Sequence, residues 1–102
     1  MKQVIAVVKP FLAEKVIRRL EQMPLLNLIV REAKGYGRQR SYLDEYRANE
    51  YAHVFVAKVE ITAWVEDEHL EQAIDAITQE SRTGRLGDGK ILVLPVSPAE
   101  VI

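Results

Sequence analysis

The chain has 102 residues, a formal net charge of −1, 48% hydrophobic residues and no cysteine. Its length predicts a single domain over 1–102 with a modest core, and its apolar content argues against a disordered chain. The near-neutral charge disfavours a dedicated nucleic-acid binder, and without cysteine there is no disulfide framework, thiolate metal site or thiol nucleophile.

Met1-Lys2-Gln3 leads into only five apolar residues, Val4 to Val8, before Lys9-Pro10. That run is too short for the core of a signal peptide, and no run approaches membrane-spanning length, so a cytoplasmic protein without membrane insertion is expected. As a structural element, Val4 to Val8 predicts a strand buried on both faces. Leu12, Val16, Ile17 and Leu20 then fall at helical spacing, with Glu14, Lys15, Arg18 and Arg19 around the rest of the helix and Pro24 ending it. Leu26, Leu28 and Val30 alternate with Asn27, Ile29 and Arg31, which predicts a second strand.

Residues 35 to 54 depart from a short hairpin connection, being far longer than the usual two to five residues. All four tyrosines (Tyr36, Tyr42, Tyr46, Tyr51) lie there, with Arg38, Arg40 and Arg47. Tyrosine and arginine are favoured interface anchors, which suits a partner-docking arm, mobile when unliganded and ordered on binding. The same composition also fits an extended β-ribbon. A third strand is the clearest element. Val59, Ile61, Ala63 and Val65 point one way, and Lys58, Glu60, Thr62 and Trp64 the other. Glu66-Asp67-Glu68 supplies acid at a helix N-terminus ahead of Leu70, Ala73, Ile74 and Ile77.

The last connection, Thr83-Gly84-Arg85-Leu86-Gly87-Asp88-Gly89-Lys90, has the G-x-x-x-x-G-K spacing of a phosphate-binding loop. Glycines let backbone amides converge on an anion, and Lys90 adds charge. A nucleotide-hydrolase loop would continue with Ser or Thr and a helix. Here Ile91-Leu92-Val93-Leu94 reads as a strand before Pro95. An ordinary helix-to-strand turn with the same glycines remains an open reading. His53 reads as an exposed loop residue and His69 as a solvated helix residue, with no nucleophile–base pairing, so no enzyme is expected. Strand, helix, strand, strand, helix, strand is the α+β, ferredoxin-like βαββαβ order: an antiparallel sheet with both helices on one face. Trp64 and Ile29 would project from the uncovered face, which suggests oligomerisation or ligand burial.

Three stretches together give the chain a resemblance to the PII signal-transduction (nitrogen-regulatory) family: Lys34-Gly35-Tyr36-Gly37-Arg38-Gln39, Tyr46-Arg47-Ala48-Asn49-Glu50-Tyr51, and Arg82 to Ile91. The resemblance covers nearly the whole chain. It implies a homotrimer that binds ATP or ADP in clefts between subunits. It also implies sensing of 2-oxoglutarate through Mg-ATP, and docking on a transporter or metabolic enzyme through a long T-loop, residues 37–54. By motif, Gly37, Arg38, Gly87, Asp88, Gly89 and Lys90 would line the nucleotide cleft, with Arg38 and Lys90 as phosphate-neutralising cations. Ile29, Thr62 and Trp64 would lie at the nucleotide. Gln39 would be the Mg²⁺ ligand and Lys58 the contact to the oxo-acid carboxylate, and Tyr51 matches a nucleotidylation site. On spacing alone, Lys58 reads equally as an exposed strand lysine, whereas Gln39 reads first as a polar loop residue.

Departures from the family pattern are Ala48-Asn49 in the T-loop signature, Ile29 where a hydroxyl is usual, Thr62 where an acidic residue is frequent, and Val54 and Ala57 in place of an aspartate and a proline. The segment Val96 to Ile102 carries no Lys or Arg, where the family supplies basic residues to a neighbour's phosphates. These departures keep open a divergent PII-like sensor tied to bicarbonate or metal transport in place of nitrogen status.

Overall fold

The first strand, β1 (Lys2–Val8), shows how the molecule is layered. Val4, Ala6 and Val8 are buried, while Gln3, Ile5 and Val7 between them are only half-buried. A strand buried on both faces was expected from the unbroken apolar run. The difference arises because only one layer, the helical one, packs against the sheet among the described residues, which in this computed structural model are 1–37, 54–85, 87–98 and 100–102.

Lys9-Pro10 turns the chain from strand to helix. Proline restricts the residue before it to extended backbone, and Lys9 adopts φ −65° and ψ 139°. Pro10 takes the first position of α1 (Pro10–Glu21), where its missing N–H costs nothing. The helix buries Leu12, Ala13, Val16 and Leu20, and places Arg18 and Arg19 in its last turn, favourable with the dipole. Leu20 is fully buried, a placement worth about 1.5–3 kcal/mol for a side chain of this size.

β2 (Asn27–Gly37) and β3 (Val54–Val65) pair antiparallel from Asn27↔Trp64 to Gly37↔Val54. Pairing therefore runs past residue 35, where the long connection was expected to begin, so both strands extend into a two-stranded ribbon beyond the sheet. Most of the tyrosine- and arginine-bearing segment, 38–53 with Arg38, Gln39, Tyr51 and His53, lies outside the described residues, while Tyr36 pairs with Phe55. After β3, the acidic stretch does not open the helix directly. Asp67–His69 forms a 3₁₀ turn, and α2 (Leu70–Ser81) follows. Asp67 meets the Met1 amino group at 3.0 Å and Lys2 Nζ at 3.7 Å, so this acid is engaged by β1 and not by the helix dipole alone. α2 buries Ala73, Ala76, Ile77 and Ser81, with Leu70 partly buried against the same core.

β4 (Gly89–Pro95) completes a four-stranded sheet of order β2-β3-β1-β4, every neighbouring pair antiparallel. This is the ferredoxin-like βαββαβ arrangement. Its core lies between the helices and the face bearing Val4, Ala6, Val8, Ile61 and Val65. On the opposite face the register aligns Ile29, Thr62, Ile5 and Leu92 in one row across all four strands, with Asn27, Trp64, Gln3 and Leu94 in the next. Ile29, Leu92 and Leu94 remain 42%, 50% and 42% exposed.

Entry into β4 rests on one close approach. Gly89 lies opposite Val8 with φ +127°, and a Cβ there would come within 1.9 Å of the Val7 carbonyl oxygen. Gly84 also has a positive φ, +82°, but a Cβ there would meet open space. Gly89→Ala is therefore expected to cost at least about 2 kcal/mol in urea unfolding, combining backbone strain with a steric clash. Gly84→Ala should cost only the left-handed backbone penalty of about 1–2 kcal/mol. Equal losses at the two positions would contradict the close approach at Gly89.

Candidate functional site

The connection from α2 to β4 is organised by one carboxylate. Asp88 accepts the Thr83 N–H at 2.7 Å and the Gly84 N–H at 2.9 Å on Oδ2. Its Oδ1 accepts the Thr83 hydroxyl and, at 2.9 Å, the Lys9 ammonium. Thr83 Oγ1 in turn accepts the Arg85 N–H at 3.3 Å and Lys9 Nζ at 3.4 Å. Glycines at 84, 87 and 89 take φ of 82°, 81° and 127°, conformations that side chains with a Cβ rarely adopt. The result is a shaped backbone turn in which Asp88 serves the loop's own amides.

A second lysine reaches the loop from the sheet. Lys58 stands on β3 opposite Ala33 and is 91% buried by its 9% exposure, with Nζ donating to the Gly87 carbonyl at 2.5 Å. The reading of Lys58 as an exposed strand lysine is thereby corrected. A long aliphatic stem lies along the sheet and its charged end is held on the loop. Burial, and then the nearby Lys9 charge, draw its ammonium below the ordinary lysine range, while Asp88 acts in the opposite direction.

Two open grooves flank this turn. One, of about 490 Å³, is lined by Pro10, Glu32, Ala33, Lys34, Ala57, Lys58 and Val59. The other, of about 350 Å³, is lined by Arg82, Asp88, Gly89 and Lys90 together with Val8, Ile74 and Thr78. The structure thus brings together Gly87, Asp88, Gly89, Lys90 and Lys58. Gly37 ends β2, paired with Val54, and Arg38, Gln39 and Tyr51 fall outside the described residues. Ile29, Thr62 and Trp64 share the uncovered sheet face, with Trp64 furthest from the loop along β3. Lys90 is in register with Val7 and Glu60, and Trp64 is four residues further along β3, about 13 Å at the usual strand rise.

Sequence reasoning missed Lys9 and the role of Thr83. Lys9 is 79 residues from Asp88 in the chain, and the sequence contains no spacing that couples them. The signal was indirect: a lysine fixed by the following proline at the end of the strand that pairs with β4. Among the described residues no group of His, Cys, Asp and Glu is arranged to hold a metal ion.

Hydrogen bonds from the Thr83 hydroxyl, then the Lys9 ammonium and the loop amides, hold the Asp88 carboxyl well below its ordinary value of 3.8. A carboxyl depressed on folding stabilises the native state above its unfolded value and ceases to do so as pH falls through the folded one. The loop should therefore keep its clamp through mildly acid solution and lose it only well below pH 3.8. Carbon-13 NMR of the Asp88 carboxyl is expected to show that low midpoint, and Thr83→Ala should raise it. A midpoint at the ordinary value would mean the carboxylate is not engaged in solution.

Comparison with known proteins agrees with this architecture. The family model for Nitrogen regulatory protein P-II matches residues 1–102. The chain is similar to the Nitrogen regulatory protein P-II of Azospirillum brasilense, 45% identical over 96 residues that cover 94% of this chain and 86% of that one. The protein of the same name from Rhodospirillum rubrum is 43% identical over 99 residues, 97% of this chain and 88% of its own. That of Pasteurella multocida is 38% identical over 96 residues, 94% of this chain and 86% of its own. No helix among the described residues is long and apolar enough to cross a membrane. With a full-length family match, relatives above 40% identity and the βαββαβ sheet, the chain belongs to the nitrogen regulatory protein P-II family, whose members are signalling proteins.

Proposed function

We propose that this protein is a single-domain PII-type signalling protein in nitrogen regulation that binds ATP or ADP at the 83–90 loop and acts on a transporter or metabolic enzyme through residues 37–54. The observation that carries the reading is the loop itself. Three positive-φ glycines hold a backbone turn beside a groove whose wall includes Arg82 and Lys90. Exposed cationic side chains beside a turn of positive-φ glycines suit a polyphosphate, with charge from the side chains and hydrogen bonds from loop amides other than those of Thr83 and Gly84, which Asp88 holds. Arg38 is assigned as the second phosphate-neutralising cation and Gln39 as the ligand of a nucleotide-bound Mg²⁺. Lys58 is assigned to the carboxylate of 2-oxoglutarate, which would take over the ammonium now held by the Gly87 carbonyl. Tyr51 is the assigned modification site. The activity is recognition, with no catalytic residue assigned and a cytoplasmic location.

Two features support assembly into the homotrimer that the family resemblance implies. The open sheet face carries Ile5, Ile29, Trp64, Leu92 and Leu94, apolar surface that a folded chain seldom leaves in water. Trp64 also lies four residues along β3 from the position in register with Lys90, so a cleft using both Trp64 and the loop would draw on a second copy. A second reading, a divergent sensor linked to bicarbonate or metal transport, is favoured by one register pair. Ile29 lies directly opposite Thr62, placing an aliphatic group and a hydroxyl where the family usually has a hydroxyl and an acid.

Calorimetry with ATP and ADP tests the first reading. Lys90→Ala should weaken both by about 1.5–3 kcal/mol, the range for a lost charge-assisted contact, which is tenfold or more in affinity. Unchanged binding would remove the loop assignment. Titration with 2-oxoglutarate and with bicarbonate in the presence of Mg-ATP separates the two sensing readings.

Light scattering should return a trimer for the parent protein and smaller species for Trp64→Glu, which places a charge on the open sheet face that assembly would cover. A monomeric parent at micromolar concentration would remove both the trimer and the inter-subunit cleft.

A further inference from the structure

The nucleotide reading leaves a physical difficulty: a carboxylate, Asp88, sits inside a loop assigned to an anion. At close range a bare carboxylate would repel phosphate by several kcal/mol in a partly desolvated groove. The structure resolves this with Lys9. Its Nζ lies 2.9 Å from Asp88 Oδ1 and 3.4 Å from Thr83 Oγ1, and both members of the ion pair are largely shielded, at 19% and 20% side-chain exposure.

Lys9 is also delivered from a rigid base. Pro10 restricts its backbone, its carbonyl accepts the Leu12 N–H at 3.0 Å, and the preceding Val8 is paired with both Val59 and Gly89. The close approach of Gly89 to Val7 brings the end of the loop against that same junction. The backbone that carries the ammonium to Asp88 is therefore preset, and the side-chain torsions are what the ion pair orders.

We infer that Lys9 is a positioning residue for phosphate recognition, cancelling the Asp88 charge and locking its carboxylate onto the Thr83 and Gly84 amides so that the loop accepts a polyphosphate. Lys9 need not touch the nucleotide. Its action runs through Asp88, and the inference rests on the proposed nucleotide binding at the 83–90 loop.

The test compares ATP, ADP and adenosine by calorimetry, with protein NMR titration for the weakly held adenosine. Lys9→Met should weaken ATP and ADP roughly tenfold or more and leave adenosine unchanged, because only phosphate meets the altered loop. Lys9→Arg, which keeps the charge, should restore most of the loss. Adding Asp88→Asn to Lys9→Met should recover affinity relative to Lys9→Met alone, since the uncancelled charge is then gone. Should Lys9→Met not fold, Lys9→Gln keeps a polar end of similar length and carries the same expectation.

Wild-type affinity in the charge-removing variants would overturn the role of Lys9 while leaving nucleotide binding intact. Equal losses for adenosine and ATP, or a double variant no better than the single one, would reduce Lys9 to a general structural residue and overturn the inference. A parent protein that binds neither ATP nor ADP would instead overturn the nucleotide reading, and the inference with it.

Discussion

The Asp88 carboxylate is the hub of the functional end of the molecule. Five glycines are present in 102 residues, and three of them fall between positions 84 and 89. Such a segment loses much conformational freedom on folding, because glycine has more to lose than any other residue. The carboxylate compensates by gathering two amides, a hydroxyl and an ammonium onto two oxygens. Charge-assisted bonds of this kind are roughly twice as strong as neutral ones. Upstream, the Ser81 hydroxyl returns to the Ile77 carbonyl and the Arg82 N–H to the Thr78 carbonyl, closing α2. Downstream, Gly89 packs its backbone onto Val7. The loop is thus fastened at its start, its centre and its end.

Electrostatics around this hub differ from those of the chain as a whole. The protein carries a formal net charge of −1, yet Lys9, Lys58, Arg82 and Lys90 all lie at or beside the loop that holds Asp88. Lys9 is committed to that acid. Lys58 is held on a carbonyl and has its proton affinity lowered by burial and by Lys9. Arg82 and Lys90 line the groove and are exposed. Net charge is a property of the whole chain, and it does not describe a local site where folding gathers cations from four segments.

The sheet divides the molecule's surface as clearly as the loop divides its charges. One face is sealed by α1 and α2 over Val4, Ala6, Val8, Ile61 and Val65. The other bears the row Ile29, Thr62, Ile5, Leu92. Because side chains alternate along a strand, a one-residue slip would exchange the two sets, so burial of one face fixes what the other displays. The open face and the loop meet at Lys90, which lies on that face opposite Val7.

Sequence patterning alone determined the element order, the antiparallel class of the sheet and the faces of β3, because strand and helix periodicities are local consequences of backbone geometry. It also marked the glycine loop and Lys90, since turn chemistry is written in neighbouring residues. It mistook β1 for a strand covered on both sides, because a run of apolar residues does not state how many layers pack on it. It could not tell an exposed Lys58 from a buried one, nor place Lys9 beside Asp88. Those outcomes belong to tertiary structure: they depend on pairing β1 with both β3 and β4, which brings side chains 79 positions apart within hydrogen-bonding distance.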